Sequence, residues 1–285
     1  MAGRRGLNFG PLIRPAQLLA QLGEPDCCIV DVRHQLADVG YGERAYGEAH
    51  LPGAFFLHCD RDLSGPLNGR NGRHPLPDPK VLAGRLAALG IDRQTRVVAY
   101  DDGNGMIASR LWWLLRWLGH DAVAVLDGGW AAWCRAGGAL SRERPSAVPG
   151  DFQPHLRSWT VDVDDVLAGL GSADRRLIDA RAADRFRGEN ETIDPVAGHI
   201  PGARNRFFGD NLAADGCFKP APELAAEWRA QLAGGAPAAV VHYCGSGVSA
   251  CQNILAMEVA GLPGSRLYGG SWSEWCADPA RPVER

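Results

Sequence analysis

The chain has 285 residues, 46% of them hydrophobic and 22% charged, with nine Trp, eight Cys and a formal net charge of −3. That is material for two packed cores, since single cores stop growing near ~250 residues, and the charge gives no basic field for a nucleic-acid partner. Met1 to Pro11 lacks the apolar run of a signal peptide and no stretch approaches ~20 uninterrupted apolar residues, so a soluble cytoplasmic protein with no membrane partner is expected.

In chain order, the Val- and Ile-rich run Cys27 to Val32 predicts a buried strand ending in Ile29-Val-Asp-Val-Arg33. A Pro-Gly turn, His50-Leu-Pro-Gly-Ala54, follows. Lys80 to Leu89 carries helical spacing, Arg96 to Tyr100 predicts a second strand running into Asp101, and Ile107 to Leu118 a second helix. Ala122 to Leu126 then leads into Asp127-Gly-Gly-Trp130. From Ala136 to Ser158, glycines, prolines and charges replace periodicity, which marks a linker.

Beyond the linker the same order returns: strand Arg176 to Ala180 inside Leu177-Ile-Asp-Ala-Arg181, the turn His199-Ile-Pro-Gly-Ala203, helix Pro222 to Leu232, and strand Ala238 to Tyr243 running into Cys244. Helix Val248 to Ala260, strand Arg266 to Tyr268 and Gly269-Gly-Ser-Trp272 complete it. A repeat of four blocks in order divides the chain into residues 1–145 and 146–285. Each copy reads as an α/β unit with a parallel sheet and crossover helices, whose ligands collect beyond the carboxyl ends of the strands. Asp101 and Cys244 fall at equivalent places there.

Cys244-Gly-Ser-Gly-Val-Ser249 puts a thiol between a strand and a helix. Its two glycines let successive backbone N–H groups face one centre, and the following helix adds its positive end, so the loop favours an anion and a nucleophilic sulfur. The other seven cysteines read as buried small residues, and neither a Cys-x-x-Cys pair nor another metal pattern appears, so no metal and no cofactor is expected. His242 and Tyr243 read as packing residues, and the paired His50 and His199 as structural parts of their turns.

These blocks, with the terminal Gly270-Ser-Trp-Ser-Glu-Trp275, resemble the tandem rhodanese family over nearly the whole chain. The resemblance implies two rhodanese-like domains, a catalytic second one and a first one that has lost its cysteine to Asp101. It further implies a sulfurtransferase in which Cys244 carries sulfur as a persulfide from a small-molecule donor to a thiol acceptor, such as thioredoxin or a small thiol, or to cyanide. Cys-Gly-Ser-Gly-Val-Ser is similar to the mercaptopyruvate type rather than to the thiosulfate type, which has cations directly after the cysteine. That pattern implies Asp60 and His74 as an acid–base pair facing Cys244, with Gly245, Ser246, Gly247, Val248 and Ser249 cradling the substrate.

For a donor carboxylate, Arg181 and Arg185 are the candidate cations, Arg181 being equally readable as an ion pair that ties its repeat together, like Arg33. Two departures from the pattern are Ser249 in place of threonine and Gly269 where the first copy keeps Asp127. The alternatives are a thiosulfate:cyanide transferase using the same cysteine and a non-enzymatic sulfur-carrying or sensing module. Phosphatase chemistry would need an Arg six positions after Cys244, and position 250 is Ala.

Overall fold

The computed structural model describes residues 10–172 and 174–285. Among them, the first half contributes β1 (Leu12–Ile13), β2 (Cys27–Asp31), β3 (Phe55–Phe56), β4 (Arg96–Tyr100) and β5 (Val123–Leu126). The second half contributes β6 (Thr160–Val161), β7 (Arg176–Asp179), β8 (Arg204–Asn205), β9 (Val240–Tyr243) and β10 (Arg266–Tyr268). Each half is a parallel five-stranded sheet, ordered β1-β5-β4-β2-β3 and β6-β10-β9-β7-β8. The two orders coincide under the repeat, so the duplicated blocks are duplicated structure.

Parallel strands covered on both faces need apolar side chains at every position, and the runs are continuous for that reason. Along β2, Val30 faces one core cluster and Ile29 another. Along β9, Val240 and Val241 divide in the same way. The cluster that holds Val30 also holds Val240 and Ile178, so the two halves share one continuous core. Helix Met106–Trp117 packs there against helix Ala250–Val259. Its all-round burial, Trp112 and Trp113 included, follows from meeting its own sheet on one side and the other half on the opposite side.

Between the halves, residues 137–159 hold no regular element but are pinned to the first half: Gly150 N donates to Ala87 O, His155 N to Leu118 O and Arg157 N to Trp117 O. The histidine turns match their structural reading. His50 stacks on Tyr46 and bonds Tyr46 O, and His199 stacks on Phe186 and bonds Phe186 O. His242 is buried edge-on to Trp228, and the Tyr243 hydroxyl accepts from Ile200 N.

Candidate active site

Cys244 follows β9 directly, is 2% exposed, and its Sγ accepts from Gly247 N at 3.1 Å. The loop is closed from the far side: Cys244 N donates to the Ser271 hydroxyl, and the Cys244 and Gly245 carbonyls accept from Trp272 N and Ser273 N. In the first half, the Asp101 and Asp102 carbonyls accept from Trp130 N and Ala131 N. Asp101 is therefore the structural counterpart of Cys244. Its buried carboxylate takes four backbone N–H bonds, from Gly103, Gly105, Ile107 and Ala108, at 2.9–3.1 Å. Burial pushes the Asp101 carboxyl up while those four donors pull the other way. The first-half loop is an anion cradle filled by its own side chain, the chemistry this loop type offers in the second half.

A strap from the first half, Gly72 to Pro77, crosses the second-half loop. Gly72, at φ 80°, lies so close to the Gly270 carbonyl that an added Cβ would sit 2.6 Å from it. Arg73 N donates to the Ser273 hydroxyl, and the Arg73 guanidinium pairs with Asp194. His74 Nδ1 meets the Ser246 hydroxyl at 2.7 Å, and His74 Nε2 meets Asp60 Oδ1 at 3.0 Å. Leu76 lies where a side chain at position 269 would begin, 3.0 Å from an ideal Cβ, so the glycine there makes room for the strap. In the first half Asp127 uses its carboxylate to accept from Phe218 N across the halves.

Arg110 holds strap and loop together. Fully buried, it donates to the carbonyls of Gly247 and His74 at 3.1 Å each, with Leu63 O and Pro75 O at 3.4 Å. The sequence reading missed it, although an Arg amid the apolar residues of Met106–Trp117 is itself a signal: a buried guanidinium needs acceptors.

Among the expected site residues, Asp60, His74 and Ser246 thus form one hydrogen-bonded chain beside Cys244. The bond to His74 holds the Asp60 carboxyl below its usual range. Val248, Ser249, Gly245 and Arg185 line the same cavity of about 270 Å³ as Cys244, with Met106 reaching in from the first half. Gly247 shapes the loop at φ 79°, where an added Cβ would strike Gly269 O at 2.3 Å.

Arg181 is held by its own half. Its side chain is 1% exposed, with Nε and Nη2 bonded to Asp179, Nη2 also to Gly198 O, Nη1 to Glu191, and its plane over Trp272. Arg33 repeats the arrangement with Asp31, Ala49 O and Trp130. These bonds match the ion-pair reading of Arg181, which also lines the cavity beside Cys244. Two guanidiniums stand over the loop, that of the candidate Arg185 and that of Arg73, a residue the sequence reading did not single out: a Cβ on Gly245 would lie 2.7 Å from Arg73 Nη2 and 3.7 Å from Arg185 Nη2. Glu191 and Asp194 hold Arg185 in place.

A family model for the rhodanese-like domain matches twice, over residues 14–136 and 162–278. The chain belongs to the rhodanese-like family. A Pseudomonas aeruginosa relative, provisionally named a 3-mercaptopyruvate sulfurtransferase, is 52% identical over 280 residues, covering 97% of this chain and 99% of its own. A Mycobacterium tuberculosis relative, provisionally named a thiosulfate sulfurtransferase, is 41% identical over 297 residues, covering 96% of each chain. The solved 3-mercaptopyruvate sulfurtransferase from Leishmania major shares the fold with a TM-score of 0.83 at 30% identity, covering 95% of this chain and 75% of that one. Each rhodanese-like match spans four of the five strands of one sheet, starting just after β1 and β6, and no helix among the described residues is long and apolar enough to cross a membrane.

Proposed function

We propose that this rhodanese-like chain moves sulfur from 3-mercaptopyruvate to a thiol by double displacement at Cys244. The Cys244 thiolate attacks the donor sulfur, the S–S bond forms as the carbon–sulfur bond breaks, and pyruvate leaves as its enolate. A proton then returns to the enolate carbon, leaving Cys244 as a persulfide. In the second half-reaction an acceptor thiol attacks the outer sulfur and departs as a persulfide, restoring the Cys244 thiol. A small thiol or thioredoxin fits as acceptor, in a cytoplasmic setting. The cavity lined by Leu36, Leu67 and Ile193, about 700 Å³, reaches His74 from outside.

The observation that carries this reading is the Asp60–His74–Ser246 chain. An enolate leaving group must be protonated, and a histidine ordered by a carboxylate and touching a loop hydroxyl supplies that proton. Thiosulfate, the second reading, releases sulfite, which needs none. The loop carries no charge of its own, but Arg73 and Arg185 stand over it and serve either anion, the donor carboxylate or a thiosulfate dianion. The deciding experiment compares both donors in wild type and in His74→Asn. Mercaptopyruvate turnover that collapses in the variant, with thiosulfate turnover minor and unchanged, supports the proposal; thiosulfate as the faster donor, indifferent to position 74, overturns it.

A further inference from the structure

Four side chains scattered between positions 34 and 74 converge at the carboxyl edge of the first sheet: His34, Cys59, Asp60 and His74. His34 follows the strand-end Arg33, Cys59 and Asp60 follow β3, and His74 comes from the strap. Their ligand atoms all lie within 4.8 Å of one another. Both imidazoles aim Nε2 at the same oxygen, Asp60 Oδ1, from 3.8 Å for His34 and 3.0 Å for His74. His34, Cys59 and His74 are buried, while Asp60 keeps about a third of its side chain in the wall of the large cavity, which provides an entry path.

Two imidazole nitrogens, one sulfur and one carboxylate oxygen are a donor set for tetrahedral zinc. Zinc bond lengths of ~2.0–2.3 Å put tetrahedral ligand atoms ~3.3–3.7 Å apart, so closing on an ion asks these side chains to move by ~1 Å. Thiolate and carboxylate together neutralise the ion. The Cys59 thiol releases its proton to solvent when the sulfur–zinc bond forms.

We propose that His34, Cys59, Asp60 and His74 bind one zinc ion reversibly, and that zinc there switches sulfur transfer off by taking His74 Nε2 and Asp60 out of the proton path. No oxidation or reduction is involved. The switching half rests on the relay reading given above, whereas the binding half does not.

The test titrates the full chain with zinc against a chromophoric chelator and, separately, with cobalt, whose sulfur-to-metal absorption reports thiolate ligation. Wild type and Cys244→Ser should each bind one ion per chain and show the band. Cys59→Ala and His34→Gln should bind zinc ~10–100-fold more weakly, with Cys59→Ala losing the band, while both keep their metal-free turnover. Zinc should inhibit wild type, a chelator should restore it, and both variants should resist. Absence of one-to-one binding, or binding lost in Cys244→Ser and kept in Cys59→Ala and His34→Gln, overturns the site. Zinc bound at these residues with turnover undiminished overturns the switch and points to failure of the relay rather than of the site.

Discussion

Replacing Arg110 by Met keeps the length and removes the guanidinium that grips both the strap and the Cys244 loop. A buried charge can often be replaced by an apolar side chain at little cost, but here the partners are backbone carbonyls that cannot leave, so their acceptors lose their donor. The two 3.1 Å bonds, to Gly247 O and His74 O, at ~1.5 kcal/mol each for a charged donor, come to ~3 kcal/mol. The Arg110 Nε has no partner, which trims rather than raises that figure. With an unfolding entropy of ~2.1 cal/mol/K per residue over the chain, ~3 kcal/mol corresponds to a fall of ~5 °C in Tm. Activity should suffer more, because His74 and the loop would no longer be held in register, and a ~1 Å misplacement costs ~10²-fold in kcat. Calorimetry and steady-state turnover on Arg110→Met read both. A variant within ~1 °C of wild type that keeps its kcat refutes the clamp, since the bonds would then contribute almost nothing.

Arg185→Met should raise the donor KM by ~10-fold or more with a smaller change in kcat if Arg185 is the cation that receives the donor carboxylate in ground and transition states alike; an unchanged KM removes that role. Arg181→Met should instead lower Tm, as Arg33→Met does in the first half, because each breaks a buried Asp–Arg pair, a loss of ~3–5 kcal/mol; a pure KM effect at Arg181 would mark it as a substrate ligand. His242, with its pKa lowered to about 3 by burial, stays neutral in the folded chain while the unfolded chain protonates near its ordinary 6.5. Its contribution is therefore intact above that pH and declines as pH falls toward 3, at ~1.4 kcal/mol per unit. Urea unfolding at pH 6.5 and 4.5 should show ~2–3 kcal/mol of that loss in wild type and none of it in His242→Leu, and equal slopes would remove the assignment.

Much of the fold is legible because buried parallel strands leave continuous apolar runs. Arg96–Tyr100 and Arg266–Tyr268 appear with the expected bounds, and helix Met106–Trp117 is displaced from its expected span by one residue. The edge strands β1, β3, β6 and β8 are two residues long, too short to carry a period, and they went unread. The loop at Cys244 was legible because glycines, strand and helix stand beside it in the sequence. Arg73, Arg110 and Leu76 were not, since their roles arise from the strap crossing to the other half, a long-range contact without local pattern. Arg181 was legible in its structural role, since the repeat pairs it with Arg33, and the two make the same bonds to a strand-end aspartate.

The most direct test of the account is intact-protein and peptide mass measurement after 3-mercaptopyruvate is added without an acceptor. One added sulfur atom on the Cys244 peptide, matched by pyruvate release and discharged by a thiol, is the predicted result, with Cys244→Ser gaining none. Sulfur on a different cysteine, or undiminished turnover in Cys244→Ser, would contradict it.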